Sequence, residues 1–177
     1  MARSSAQTRR QPAPQRAGPR VPSRPTIRAR DLGIDLESGT EGEYFKWFLA
    51  CLLFGKPIQQ EVARRAYLEF VREGLVTPQA ILDVGWDRLV SVLDRGHYVR
   101  FDFSTATKLL DIAQCLITRY GSIAHLLEQS HDLKDLAGRL QEFKGIGPVT
   151  TRIFLRDIAS PSTLSFRPEL AERRKTQ

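Results

Sequence analysis

Cysteine is nearly absent from this chain: Cys51 and Cys115 are the two in 177 residues. Both fall in apolar stretches of helical period, where a buried, reduced thiol is the expectation, and two thiolates cannot by themselves hold an iron–sulfur cluster. No apolar run reaches the ~18 residues that a membrane span requires, so no membrane partner is expected. The N-terminal "MARSSAQTRRQPAPQR" is basic but lacks the apolar core of a signal peptide. A reducing cytosol is the expected compartment, with nucleoid association if the source is bacterial. His97, His125 and His131 show no metal-ligand spacing, and neither a metal nor a cofactor is expected. Alternating apolar and polar residues, the mark of a half-buried strand, do not appear in any convincing run.

Acidic residues are missing from residues 1–30, which carry eight arginines: Arg3, Arg9, Arg10, Arg16, Arg20, Arg24, Arg28 and Arg30. Arg167, Arg173, Arg174 and Lys175, set against Glu169 and Glu172, leave the last eleven residues at +2. The whole chain is +7, so subtracting both ends leaves the body at −3. The protein is basic because of its ends. Residues 1–30 also contain Pro12, Pro14, Pro19, Pro22 and Pro25 and few large apolar side chains, so they are expected to form a disordered tail. Such a tail serves either solubility or charge-driven contact with nucleic acid. Residues 31–40 read as a linker, 41–159 as the helical domain and 160–177 as an irregular basic tail.

Within the domain the patterns are helical, and the expected class is all-α. "EYFKWFLACLLFG" is apolar on nearly all sides, as in a helix at the centre of a bundle, and Gly55 ends it. "PIQQEVARRAYLEFVREG" carries one apolar stripe, Ala63, Ala66, Tyr67, Phe70 and Val71. Thr77 and Pro78 mark the start of a third helix, and "WDRLVSVLDRG" is a fourth. Ser104 or Thr105 is expected to cap a fifth, with Leu109, Ile112, Ala113, Leu116, Ile117 and Tyr120 at helical spacing. "SIAHLLEQ" and the repeat Leu133, Leu136, Ala137, Leu140 supply two more.

The stretch "FKGIGPVT", residues 143–150, joins the last two helices in a hairpin over 132–158. Gly145 sits where a helix ends in a left-handed residue. Ile146 is the one large side chain of the turn and is expected to plug between the helices. Gly147 lacks a Cβ, so another backbone can approach it closely. Pro148 suits the first turn of a new helix, where its missing N–H costs nothing. The amides of Gly147, Val149 and Thr150 then lie at the positive end of that helix, an anion site that Lys144 and the Thr150 hydroxyl can support.

These residues resemble the helix-hairpin-helix motif of the endonuclease III-like DNA glycosylases. "FKWFLACLLFGKPIQQEVARRAY" is similar to that family's buried helix and the base-interrogating turn after it, near Gln59 and Gln60. "GWDRLVSVLDRGHYVRFDFSTATKLLDIAQCLITRYG" resembles the helices that follow. The resemblance covers residues 41 to 158 and implies the six-helix-barrel half of the fold, a role related to base excision repair, and duplex DNA held by its phosphates with little sequence preference. In "GHYVRFDFSTATK", Tyr98, Arg100, Ser104, Thr105 and Lys108 are candidates for DNA backbone contact. Phe101 and Phe103 read as core residues rather than stacking platforms, and Asp102 as a cap.

The chain departs from the family at the chemistry. Val149 occupies the place of the lysine that attacks the sugar in bifunctional members. Counting on from Gly147 brings the family's catalytic aspartate close to Arg167, with Glu169 the nearest carboxylate and Asp157 too early. The four-cysteine cluster segment has no counterpart, and the tail does not resemble the family's following loop and helix. The resemblance therefore implies a DNA-binding protein that is degenerate or truncated as an enzyme. An active monofunctional glycosylase using Glu169 or another carboxylate, and a protein-interaction module, are the alternatives. The oligomeric state stays open.

Overall fold

Helix Glu41–Phe54 (α1) is the axis of the structure, a computed structural model in which residues 26–160 are described. Trp47, Leu49, Ala50, Cys51 and Leu53 are fully buried along it, because its sequence offers no polar face to solvent between Trp47 and Leu53. Such a helix is stable only when other helices cover it on several sides. Gln60–Arg72 (α2), Ile123–Glu128 (α6) and Pro148–Ile158 (α8) pack directly on it. Pro78–Val84 (α3), Trp86–Arg95 (α4) and Asp102–Arg119 (α5) form a second group, joined to the first where α4 crosses α2. Leu133–Gln141 (α7) completes the hairpin with α8. The described residues contain helices and no strand, so the class is all-α, and none of their helices is long and apolar enough to cross a membrane.

Buried polar contacts tie the helices in register. The Trp47 indole N–H donates to the Phe154 carbonyl at 3.1 Å, joining α1 to α8, and the Phe48 and Phe154 rings meet edge-on at 5.8 Å. Glu41 accepts from the amides of Ile123 and Ala124 at 3.2 and 2.7 Å, so the first turn of α1 caps α6. Glycine permits two close approaches. A β-carbon at Gly55 would lie 2.0 Å from the Thr150 hydroxyl oxygen, and one at Gly96 would lie 2.5 Å from the Ala66 α-carbon. Arg95 then clasps Glu69 at 2.9 Å and Glu73 at 2.7 Å across the α2–α4 crossing.

Three local expectations change. The segment read as a linker, 31–40, belongs to the folded body: 3-10 turns at Ala29–Leu32 and Leu36–Ser38 seat Ala29, Ile34 and Leu36 in the core. Arg28, counted with the tail, reaches Asp157 at 3.0 Å, and Asp157 is also bound by Arg156 at 3.1 Å. Helix α5 starts at Asp102 rather than after a Ser104 or Thr105 cap: its N-cap is Phe101, which gives no side-chain cap. Asp102, expected to be the cap, is the first helical residue, its carboxylate 2.7 Å from the Phe103 amide. Cys51 and Cys115 are free thiols, and burial raises the Cys51 pKa well above that of an ordinary thiol. The expectations for residues 1–25 and for the tail beyond 160, Arg167 and Glu169 included, lie outside the described residues.

Candidate nucleic-acid interface

The turn between α7 and α8 is built from the inside. Phe143 is buried against Phe48 and Tyr120, with ring centroids 6.4 and 6.0 Å away. The Ile146 side chain is buried between the helices as a plug, and its amide donates to the Phe143 carbonyl at 3.0 Å. Between them Gly145 adopts φ +105°, a conformation that L side chains rarely take. The Lys108 stem lies against it: a β-carbon at Gly145 would stand 2.9 Å from Lys108 Cδ. Lys144 is exposed beside it.

Gly147 is the N-cap of α8, with φ −103° and ψ −178°, and Pro148 holds the first helical position. The first main-chain bond of the new helix runs from the Thr151 amide to the Gly147 carbonyl at 3.1 Å, and the Thr151 hydroxyl donates to the same carbonyl at 3.0 Å. Among the described residues the amides of Gly147, Val149 and Thr150 meet no main-chain or side-chain acceptor. Val149 is 46% exposed at this end of the helix. A β-carbon added at Gly147 would meet nothing within 4 Å. The fold therefore requires the glycine at 145 and does not require the one at 147. What the arrangement offers is unpaired N–H groups and a helix dipole, which suits a phosphate oxygen.

Thr150 differs from expectation. Its side chain is buried against Gly55 at the end of α1, so its hydroxyl serves the helix–helix contact and only its amide belongs to the turn. Tyr98 is also corrected: it is fully buried, and its hydroxyl donates to the Leu53 carbonyl at 2.6 Å. Thr105 is 2% exposed, in the core side of α5 rather than on its outer face. Ser104 is exposed and donates to the Phe101 carbonyl at 3.1 Å. Arg100 is exposed, its guanidinium 5.3 Å from the Phe101 ring. Gln59 is exposed at the N-cap of α2, whereas Gln60 accepts from the Ile27 amide at 2.9 Å and so anchors the N-terminal segment. Of the α5 candidates, Thr105 and Lys108 lie beside Gly145.

Phe103 was expected in the core and is 60% exposed, its ring 5.4 Å from that of the half-exposed Trp86. Phe101 does pack against the core. One residue that sequence reasoning passed over is Lys56, which follows Gly55 and joins Lys108 and Thr105 around a cleft beside Gly145. A lone lysine between a glycine and a proline carries no periodic signal, so only the fold brings it forward. His97, His125 and His131 are all exposed, and among the described residues no three His, Cys, Asp or Glu side chains converge as metal ligands would. Comparison of the chain with protein-family models, with curated proteins and with solved structures gives no match.

Proposed function

We propose that this chain binds duplex DNA through its phosphate backbone, using the amides at the start of α8, and that its fold is the barrel half of the endonuclease III-like glycosylases it resembles. Gly147 carries this reading. Its dihedral angles suit any residue, its β-carbon position is open, and the amides around it are unpaired. A glycine with no task in the fold fits a task outside it, the close approach of a phosphate. Binding of this kind is positional and carries little sequence preference. Val149 in place of a lysine removes the amine that lyase chemistry needs, so the reading is of a binding protein related to base excision repair rather than a lyase.

The test is Gly147→Leu, read by fluorescence anisotropy with a labelled duplex. The added β-carbon meets open space and the φ is ordinary, so an unchanged Tm is the expected control. Loss of access to two or three amides lowers affinity about tenfold. A variant that binds as tightly as the parent would remove the hairpin from the interface. A second reading, a protein-docking module, is favoured by one feature: Trp86, Phe103 and Val99 are exposed at 39%, 60% and 61%. Concentration-dependent self-association, lost in Phe103→Ser while duplex binding stays, would support it.

A further inference from the structure

The cleft beside Gly145 holds chemistry that neither core packing nor the hairpin amides use. Leu52 and Lys56 come from the end of α1 and the turn after it, Thr105, Lys108 and Leu109 from α5, and Gly145 from the hairpin. Lys56 and Lys108 line this one cleft, with the Lys108 stem against Gly145. Neither has a carboxylate partner among the described residues. Burial disfavours the charged form of a lysine, and a second ammonium lining the same cleft without a counter-charge adds to that cost. Burial first, and Lys108 second, hold the Lys56 pKa down to about 8.

Thr105 supplies an independent observation. It is 2% exposed, it lines the same cleft, and its hydroxyl has no hydrogen-bond partner. Buried hydroxyls are nearly always paired, and valine would fill the same volume without an orphaned donor. The cleft thus gathers two lysines and an unpartnered hydroxyl at its floor, all able to donate, with apolar walls from Leu52 and Leu109. Their common complement is a small oxyanion with several acceptor oxygens. The hairpin sets the geometry, because the Lys108 stem rests on Gly145 where any larger residue would displace it.

We propose that Lys56, Lys108 and the Thr105 hydroxyl form a receptor for one phosphate group, seated between α5 and the turn after α1. This inference goes beyond the hairpin reading and stands whether or not the α8 amides touch DNA. The phosphate belongs either to a nucleic acid or to a free ion or small ester.

The full chain is titrated with inorganic phosphate against chloride at equal ionic strength and pH 7, with binding followed by calorimetry. The parent binds phosphate in preference to chloride. Lys56→Gln and Lys108→Gln each weaken binding about tenfold or more, and Lys134→Gln, an exposed lysine on α7, leaves it unchanged. Thr105→Val separates the site from the scaffold: Tm holds or rises when an unpaired hydroxyl leaves, while phosphate affinity falls. A short duplex then identifies the source. Weaker duplex binding and a shallower salt dependence in both lysine variants assign the phosphate to nucleic acid, whereas an indifferent duplex assigns it to a free phosphate or small ester. Gly147→Leu reports on the hairpin amides, so failure of the DNA reading and failure of the cleft are told apart. The proposal is overturned if the parent shows no preference for phosphate, or if both lysine variants bind it unchanged. Borohydride capture of an abasic duplex at Lys56, with no response to phosphate, would also overturn it, making the cleft the pocket of an amine nucleophile.

Discussion

A β-carbon placed on Gly145 runs into the Lys108 stem from a backbone at φ +105°, while one placed two residues later at Gly147 meets open space. The same residue type therefore answers to different demands within one turn, and only the first can be explained from inside the molecule. Lys56 shows a similar tension. Its unfolded pKa is about 10.4, and in the fold it is held down to about 8 by burial and by Lys108. Below pH 8 both states carry the proton, and the folded state bears the whole cost of the charge. As pH rises from 8 towards 10.4 the folded state sheds its proton first, and that cost fades. The parent should therefore gain stability relative to Lys56→Gln between pH 7 and 9.5, in urea denaturation followed by circular dichroism. Working against the variant isolates this effect from Tyr67 and Tyr98, whose raised pKa values act in the opposite sense at higher pH. A difference that stays flat over the range would mean that the lysines do not confront each other.

At the scale of elements, the crossing of α2 and α4 depends on a missing side chain. Gly96→Ala would bring a methyl group within 2.5 Å of the Ala66 α-carbon and 2.8 Å of its amide nitrogen, which are backbone and cannot swing away. The helices must part, loosening the Arg95 clasp on Glu69 and Glu73. Overpacking of this kind costs about 1–3 kcal/mol, and equilibrium denaturation should show it, against a neutral Gly147→Ala. Signals of this sort divide what the sequence discloses from what it hides. Thr77 with Pro78, and Pro148, announce helix starts because capping is local chemistry, and the structure has Thr77 accepting from the Ala80 amide at 3.1 Å. Gly145 does not end α7, which closes at Gln141 with Glu142 as a right-handed C-cap, and its left-handed φ serves the turn instead. The buried character of α1 is likewise legible in its unbroken apolar run. By contrast Gly55 and Gly96 end helices in ordinary right-handed geometry, so their value lies in contacts with Thr150 and Ala66, distant in the chain. Tyr98 and Thr150 sit in polar-looking stretches that suggest a surface, yet each finds its partner on α1. The start of α5 is hidden because its N-cap is Phe101, which offers no capping side chain, while the capping residue types Asp102, Ser104 and Thr105 all fall inside the helix. Lys56 and Lys108 are fifty-two positions apart in the chain, and only the fold brings them to one cleft.

Across the whole molecule, charge is concentrated where the chain has least apolar content. Residues 1–25 carry six arginines and no acidic residue, so the chain without them would fall from +7 to +1. Arg28 lies beyond that cut and is committed to Asp157, a partner inside the fold. If duplex DNA is the partner, two kinds of contact should separate by their response to salt. The α8 amides carry no formal charge and displace few counterions, whereas each arginine that neutralises a phosphate adds about 0.9 to the slope of log affinity against log salt. Deleting residues 1–25 should therefore make the slope shallower by up to about five, with most of the affinity difference appearing at low salt. Gly147→Leu should instead lower affinity by a similar factor at every salt concentration, because it blocks geometry and not charge. Anisotropy titrations at several sodium chloride concentrations distinguish the two. An unchanged slope after the deletion would remove the arginines from the interface and leave binding to the folded body. A steeper loss for Gly147→Leu at low salt would mean that the hairpin acts through ion pairs, with Lys144 rather than the amides as its working part.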